Sequence, residues 1–280
     1  MVEKVVKTTI APGKELNLSK SLSQEQHQDV LQLLQKHQDA FAWEYMDMKG
    51  LDPALCTHRI YISPDCKPVR QPQRRINPAL RDIVKNELQK LLNVGFRYPI
   101  SDSQWVSPLV IVPMKGGKWR VCIDYRELNA ATKKDHFTLP FVNQVLDNLA
   151  GKKYFSFLDG FSGYNQIQIA PEDQDKTTFT CPWGTFSYFF LPFGLCNAPA
   201  TFQRAVISIF SDISADYLEV YMDDFTTYGQ TFEEAKENLD KVLQRCKEYN
   251  LSLNSEKCFI MMQEGVVLDT LFLPKGLKWI

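Results

Sequence analysis

The stretch "EVYMDDFTTYG" at residues 219–229 constrains the fold more than any other feature of this 280-residue chain. Two adjacent carboxylates, Asp223 and Asp224, separate two runs of residues that favour β-strands. Because side chains alternate between the two faces of a strand, both aspartates can point the same way only if a turn redirects one of them. The pattern therefore predicts a β-hairpin with acidic groups at its tip.

A third carboxylate, Asp159, ends another apolar run, "KKYFSFLDG". One hairpin aspartate can face the same side as Asp159 while the other stays near the rim. Gathered carboxylates are costly unless a cation neutralises them, and hard oxygen ligands favour Mg²⁺. We expect two Mg²⁺ ions, for which Mn²⁺ can substitute, to activate a 3′-hydroxyl and stabilise a leaving pyrophosphate. The alternative is that the paired aspartates only mark a turn.

The composition is that of an ordinary globular protein, with 44% hydrophobic and 23% charged residues. No apolar run approaches the roughly 20 residues that span a bilayer. The seven cysteines are scattered and form no CxxC pair, which favours reduced thiols over a disulfide framework or a zinc site. We expect a soluble cytoplasmic protein that has no membrane partner.

The net charge of −1 hides an asymmetry along the chain. Residues 67–153 contain 16 lysines and arginines against 7 acidic residues, a net charge of +9, so the remainder carries −10. A basic first half beside an acidic second half is compatible with a phosphate-binding surface near a carboxylate metal site. Chance surface charge is the alternative.

Helical periodicity and capping signals predict helices at 21–44, 78–94, 199–210 and 232–249. Capping boxes are expected at Ser23 with Gln26 and at Thr231 with Glu234, and Asn77 is expected to cap the second helix. We expect residues 1–20 to form a loose tail, 61–78 an extended connector and 265–280 a pair of strands. Strands and helices mix without strict alternation, which predicts an α+β fold.

Six blocks, in the same order as in a known family, identify the relationship. They are "WRVCIDYRELNAAT", "FSFLDGFSGYNQI", "KTTFTCPWGTFSY", "LPFGLCNAPATFQRA", "EVYMDD" and "LNSEKC". Together they resemble the reverse transcriptase of a gypsy-type LTR retrotransposon pol polyprotein of the plant kind. The resemblance implies an RNA-directed DNA polymerase that adds dNTPs to a primer 3′-end on an RNA or DNA template. It also implies a right-hand fold of fingers and palm, with an antiparallel palm sheet backed by helices.

The resemblance also implies domain bounds. Residues 1–62 would form an N-terminal tail, helix and linker, and residues 63–280 the fingers–palm domain, with its core motifs at 105–272. The fingers would lie mainly at 63–135 and 167–198, and the palm mainly at 136–166 and 199–280.

The resemblance assigns catalytic roles to positions of this chain. Asp159, Asp223 and Asp224 would form the metal triad, with Asp159 and Asp223 as the principal ligands. Lys257 would be the general acid that protonates pyrophosphate. The backbone of three residues after Asp159 would cradle the incoming triphosphate; these are Phe161, Ser162 and Gly163.

Further positions are expected to contact the nucleotide. Tyr164 matches a steric gate against the ribose 2′-hydroxyl, although an ordinary buried aromatic is the alternative. Lys115 and Arg120 match the basic residues that close on the phosphates, and Lys118 could take the part of Lys115. Three more residues complete the set: Phe193 and Gly194 under the nucleotide, and Gln203 near the template.

Two departures and several missing parts qualify the resemblance. Asp269 stands where the family has glycine near the primer, and Met114 replaces a lysine before the finger turn. The chain stops before a thumb, and the RNase H and integrase regions expected in the same polyprotein are missing. The rival reading is a catalytically impaired, nucleic-acid-binding remnant of a decayed or truncated element. The family also implies a cytoplasmic virus-like particle.

Overall fold

The computed structural model describes residues 5–114, 117, 119–137, 141–213, 216–263, 265–267, 270–273 and 276–279. The chain divides into two compact units. Unit 1 consists of Met1–Asp52, Phe137–Gly163 and Phe202–Ile280, and unit 2 consists of Pro53–His136 and Tyr164–Thr201. The domain bounds drawn from the resemblance stay a prediction. Unit 1 groups the N-terminal residues Met1–Asp52 with the two later segments, whereas the predicted bounds separate them.

The α-helices, in chain order, are α1 Gln24–Lys36, α2 Arg81–Asn93, α3 Arg126–Ala131, α4 Val142–Leu149, α5 Ala198–Phe210 and α6 Phe232–Glu248. The strands of unit 1 are β1 Val5–Ala11, β2 Lys14–Ser19, β3 Phe41–Ala42, β8 Tyr154–Asp159, β12 Leu218–Tyr221, β13 Asp224–Gly229, β14 Leu253–Asn254, β15 Phe259–Met262, β16 Gly265–Val267, β17 Thr270–Leu273 and β18 Gly276–Trp279. The strands of unit 2 are β4 Thr57–His58, β5 Arg97–Pro99, β6 Ser107–Pro113, β7 Trp119–Ile123, β9 Gln168–Ile169, β10 Phe179–Cys181 and β11 Gly184–Tyr188. This mixture of helices and strands confirms the α+β fold.

Unit 1 is built on a six-stranded sheet in the order β1-β2-β15-β8-β13-β12. All of its pairings are antiparallel except that of β2 with β15. Helix α4 covers part of this sheet with Val145, Leu146 and Leu149, which join Phe155 and Tyr228 in one buried cluster. The prediction of an antiparallel sheet backed by helices is confirmed for this unit.

Helix α6 buries the apolar stripe that its sequence predicts, Ala235, Leu239, Val242, Leu243 and Cys246. Its cap differs from the predicted box. The Thr231 hydroxyl accepts the Glu234 N–H at 3.2 Å, but the Glu234 carboxylate accepts the N–H of Gln230. By contrast, the box of Ser23 and Gln26 at α1 is confirmed in both directions.

The start of α2 also differs from its prediction. Asn77 caps a short 3₁₀ turn, Pro78–Leu80, and the α-helix proper begins only at Arg81. Helix α1 likewise ends at Lys36, earlier than predicted, and Phe41 lies in β3 instead.

The expectation that residues 1–20 form a loose tail is wrong. Residues 5–19 form the β1–β2 hairpin, which joins the main sheet through the pairing of β2 with β15. On β1 the buried Thr8 and Ile10 alternate with exposed residues, and on β2 Leu16 and Leu18 are buried apolar residues at alternate positions of a stretch that is buried throughout from Leu16 to Ser19. Gly13, with a φ of 73°, supplies the turn between them.

Unit 2 contains a five-stranded sheet in the order β5-β11-β10-β6-β7. Strands β6 and β7 pair antiparallel, as the two strand-like runs of "PLVIVPMKGGKWRVCIDY" indicate. Beside this sheet, the 1%-exposed Asp173 accepts hydrogen bonds from the Ile60 N–H at 2.8 Å and from Arg59 Nε at 2.9 Å. Lys176 forms a third bond to the same carboxylate, so a buried charge joins two stretches of unit 2.

The C-terminal stretch forms three antiparallel strands, β16, β17 and β18, and not the predicted pair. Among the described residues, no helix has the length and apolar character required to cross a bilayer.

Candidate active site

The acidic hairpin predicted from "EVYMDDFTTYG" is confirmed. Strands β12 and β13 pair from Leu218 opposite Thr227 to Tyr221 opposite Asp224, so Met222 and Asp223 form a two-residue turn. Met222 has a φ of 53°, the positive value that this class of tight hairpin turn requires at its first central residue. The turn places Asp223 and Asp224 at the end of the sheet.

The register of the sheet brings Asp159 to the same end. Strand β8 pairs with β13 so that Asp159 lies directly opposite Asp224. Opposed residues of antiparallel strands present their side chains on the same face. The backbone N–H of Gly160 also donates to the Asp223 carbonyl at 2.9 Å, which fixes the turn against the end of β8. The structure thus brings the three predicted carboxylate residues together.

Asp223 has the most perturbed carboxylate of the three. Its Oδ1 atom is buried and has no hydrogen-bond partner among the described residues. Burial, followed by the negative charges of Asp159 and Asp224, raises the pKa of Asp223 to about 6, against the opposing effect of Lys257. A cation that reaches the Asp223 carboxylate would stabilise its charged form.

Asp159 is held by an ammonium group. Lys257 Nζ lies 3.1 Å from Asp159 Oδ2 and 3.3 Å from Oδ1, and the Asn254 side chain also bonds to this carboxylate. Burial raises the pKa of Asp159 although the bonds from Lys257 and Asn254 act to lower it. Asp224 lies at the exposed rim of the hairpin, where desolvation by its surroundings and the charge of Asp159 raise its pKa.

The donor set fits Mg²⁺ by chemistry. Three carboxylates supply hard oxygen ligands, and one buried oxygen lacks a partner. Within the part of the chain that the structure describes, no three acidic, histidine or cysteine side chains are arranged as a closed metal-binding group. In this arrangement Asp159 forms an ion pair with Lys257.

The loop after Asp159 leaves no room for a side chain at Gly163. A Cβ atom built there would lie 2.8 Å from Asp223 Oδ1 and 3.1 Å from Phe202 Cζ. The loop backbone is only partly available to a ligand, since the Phe161 N–H donates to the Ser252 carbonyl at 2.9 Å. Of the three predicted phosphate-binding residues, Ser162 and Gly163 therefore remain the candidate N–H donors.

Gln203, which is expected near the template, bonds to the backbone of the acidic hairpin. Its side chain is fully buried, and both ends of its amide bond to the hairpin backbone. The Met222 N–H donates to Gln203 Oε1 at 2.5 Å, and Gln203 Nε2 donates to the Val220 carbonyl at 3.2 Å. A buried amide that bonds to the turn cannot present its side chain at a template surface. Gln203 supports the positive-φ turn from below.

The other predicted nucleotide contacts belong to unit 2. Arg120 is exposed on β7, where it pairs with Val112. The half-buried Tyr164 lies against the exposed Phe193, with ring centroids 5.0 Å apart. Gly194 has a φ of 102°, and its carbonyl accepts from Asn129 Nδ2 at 2.7 Å. Tyr164 is therefore not a fully buried aromatic, and its ring packs against that of Phe193.

Three predicted positions lie outside the described residues: Lys115, Lys118 and Asp269. One contributor to the site was missed. Asn254, which bonds to Asp159, stands in the block "LNSEKC", but a single asparagine in a short polar block gives no signal of its own for this contact.

The sequence matches a family model described as reverse transcriptase (RNA-dependent DNA polymerase) over residues 112–272. Among curated relatives, the retrovirus-related Pol polyprotein from transposon 412 of Drosophila melanogaster is 36% identical over 84% of this chain and 20% of its own length. The Tf2-3 transposon polyprotein of Schizosaccharomyces pombe is 32% identical over 65% of this chain and 14% of its own length. The chain thus spans a fifth or less of these relatives.

Solved structures show the same fold. The foamy viral protease-reverse transcriptase dRH in complex with ds DNA gives a TM-score of 0.84 at 23% identity, over 93% of this chain and 45% of that one. The foamy viral protease-reverse transcriptase in complex with RNA/DNA hybrid gives 0.83 at 22% identity, over 100% of this chain and 37% of that one. With the family match and the acidic hairpin, this shared fold establishes that the chain belongs to the reverse transcriptase (RNA-dependent DNA polymerase) family, and its relatives include transposon Pol polyproteins.

Proposed function

We propose that the chain carries out nucleotidyl transfer for an RNA-directed DNA polymerase, adding dNTPs to a primer 3′-end on an RNA or DNA template. The observation that supports this most is the buried, unpartnered oxygen of Asp223 in a hairpin whose register sets Asp224 opposite Asp159. An uncompensated carboxylate of this kind destabilises the fold unless it serves a ligand.

The three aspartates would hold the two Mg²⁺ ions, for which Mn²⁺ can substitute. When bound, such ions activate the attacking hydroxyl and neutralise the leaving pyrophosphate. Lys257, which already lies beside Asp159, would hold a proton at Nζ and donate it to pyrophosphate as the general acid.

The nucleotide would be bound mainly by backbone and basic groups. Ser162 and Gly163 would donate their N–H groups to the triphosphate, and Arg120 would contact it with its guanidinium. Tyr164, supported by the Phe193 ring, would exclude a ribose 2′-hydroxyl.

The basic stretch at residues 67–153 supports nucleic acid as the partner. Structural neighbours solved in complex with ds DNA and with an RNA/DNA hybrid also support this partner. The sequence blocks favour a gypsy-type LTR retrotransposon of the plant kind as the source. The RNase H and integrase partners and the cytoplasmic particle remain proposals that follow from the family.

Primer extension tests this function. The chain should extend oligo(dT) on poly(rA) with Mg²⁺ or Mn²⁺ and lose that activity in EDTA. The Asp223→Asn variant should lose about 10³-fold or more of the rate, because electrostatic stabilisation of developing charge is removed. The matched control is Asp147→Asn, an exposed aspartate on α4 of the same unit, which should behave like the wild type.

Unchanged extension by the Asp223→Asn variant would overturn the metal assignment. Salt-sensitive binding of primer–template without incorporation at any metal concentration would instead favour the nucleic-acid-binding remnant. Circular dichroism of each variant shows whether folding is intact.

A further inference from the structure

Residues 41–47, which we name the N-terminal brace, precede the family match by more than sixty residues but contact both loops that flank Asp159. One of these loops, residues 160–163, follows Asp159 directly. The other, residues 252–257, carries Lys257. No role in the reaction has been assigned above to any residue of the brace.

The brace is joined to the 252–257 loop by backbone pairing. Strand β3 pairs in parallel with β14, so that Phe41 aligns with Leu253 and Ala42 with Asn254. The Ala42 carbonyl also accepts from Ser255 Oγ at 3.1 Å. These bonds fix the stretch from which Asn254 and Lys257 reach the Asp159 carboxylate.

The side chain of Tyr45 in the brace contacts the 160–163 loop. Its ring lies edge-on to the Phe161 ring, with centroids 5.5 Å apart and an interplanar angle of 74°. Its hydroxyl accepts a hydrogen bond from Ser162 Oγ at 3.4 Å. Ser162 has a φ of 47°, a conformation that a residue with a side chain adopts only when its surroundings hold it there.

The brace has a fixed shape of its own. The Asp47 carboxylate accepts the N–H groups of Trp43 and Glu44, both at 2.9 Å, and closes the turn that presents Tyr45. Within this turn Met46 is 74% exposed, whereas Tyr45 is half-buried. Of these two neighbours, Tyr45 contacts the 160–163 loop, whereas Met46 is exposed to solvent.

We propose that Tyr45 is a positioning residue for nucleotide binding. It acts through Phe161 and Ser162, and it holds the left-handed Ser162 so that the Ser162 and Gly163 N–H groups face the triphosphate. This inference rests on the proposed function. It adds that nucleotide binding requires a residue of the segment that precedes the family match.

The test compares Tyr45→Ala and Tyr45→Phe with the control Met46→Ala. Primer extension gives kcat and KM for dTTP and for primer–template. A dideoxy-terminated primer gives the Kd for dTTP without chemistry, and electron paramagnetic resonance gives Mn²⁺ binding to the protein alone. Thermal denaturation accompanies every variant.

We expect Tyr45→Ala to weaken dTTP about tenfold to a hundredfold in both KM and Kd, because a small misplacement of a positioned group has effects of this size. Its KM for primer–template and its Mn²⁺ affinity should stay within about twofold of the wild type, since the carboxylates are not moved. Tyr45→Phe, which keeps the ring contact, should recover most of the dTTP affinity. Met46→Ala should match the wild type.

Equal dTTP Kd values for the wild type and Tyr45→Ala would overturn the inference and leave the proposed function intact. Equal losses in dTTP, primer–template and Mn²⁺ binding together with a lowered melting temperature would also overturn it, in favour of a general packing role. A wild type that neither incorporates nor binds dTTP would refute the proposed function, and the inference would fall with it.

Discussion

Asp173 in unit 2 is buried and Asp223 in unit 1 is half-buried with one buried carboxylate oxygen, and the surroundings of the two shift the carboxylate pKa in opposite directions. Burial acts to raise the pKa of Asp173, but bonds from Lys176, the Ile60 N–H and Arg59 outweigh it and leave the pKa below its ordinary value. At Asp223, burial and two neighbouring carboxylates act in the same direction and raise the pKa to about 6. One charge is satisfied by the fold, and the other is not.

The difference is the one expected between a carboxylate that stabilises the fold and a carboxylate that binds a ligand, the role proposed for Asp223. A buried charge that has several donors joins segments of the chain, and its removal affects folding. A buried charge whose neighbours repel it does not stabilise the fold. Ligand binding is the role expected of such a group. The sequence contexts differ, since Asp173 stands in the polar stretch "PEDQDK" whereas Asp223 follows the apolar run of a strand.

The largest stability effect is expected at Asp173. Asp173→Asn should lower the free energy of unfolding by about 3 kcal/mol, because it leaves Lys176 and Arg59 without their carboxylate partner. Its neighbour Glu172, which is exposed and bonds only to the outer part of Arg59, provides the control. Glu172→Gln should change stability by less than about 0.5 kcal/mol in urea denaturation. Similar losses for both variants would break the comparison.

The next largest effect tests whether the Asp223 carboxylate must keep its present position. Gly163→Ala places a methyl group 2.8 Å from Asp223 Oδ1, so the carboxylate must shift. We expect kcat/KM for dTTP to fall at least about tenfold in primer extension, since reacting groups tolerate little displacement. The melting temperature should fall far less than for Asp173→Asn. Full activity in the alanine variant would show that Asp223 does not need its present position.

The smallest effect is the pH dependence of stability without metal. The pKa of Asp223 rises on folding from 3.8 to about 6, so the folded state binds the proton more tightly. Below about pH 4 the group is protonated in both states, so stability falls as pH increases from about 4 to about 6. Asp223→Asn removes the effect and should exceed the wild type in stability by about 1–2 kcal/mol at pH 7 in EDTA.

Urea denaturation of both proteins between pH 4 and pH 8 measures this gap. It should open with rising pH and close again when Mg²⁺ is added to the wild type. A gap that is independent of pH would contradict the assignment of the raised pKa to Asp223.

Much of the fold and site could be predicted because local patterns carry them. The apolar stripe of α6, the β6–β7 hairpin and the turn at Met222 and Asp223 each depend on neighbours in sequence. The β1–β2 hairpin was missed although alternation in "VKTTIAPGKELNLS" indicates it, because two short strands around Pro12 and Gly13 resemble an irregular terminus. The sequence itself contains the alternating pattern of this hairpin.

Other features could not have been predicted. Gln203 bonds to the backbone of Val220 and Met222, and Tyr45 contacts Phe161. These contacts join residues that lie far apart in the chain, and neither an isolated glutamine in a helix nor an isolated tyrosine in a polar turn reveals its partner. Only the tertiary fold decides which buried polar groups meet.

The parallel pairing of β2 with β15 has a consequence for how the protein is made. Asn17 aligns with Phe259, so the main sheet cannot be completed until more than 240 residues after β2 have left the ribosome. Closing so long a loop is entropically slow, and until then β2 and β8 present open edges. During synthesis, the growing chain should therefore depend on chaperones that shield these strands, and premature pairing between chains is the hazard they would prevent.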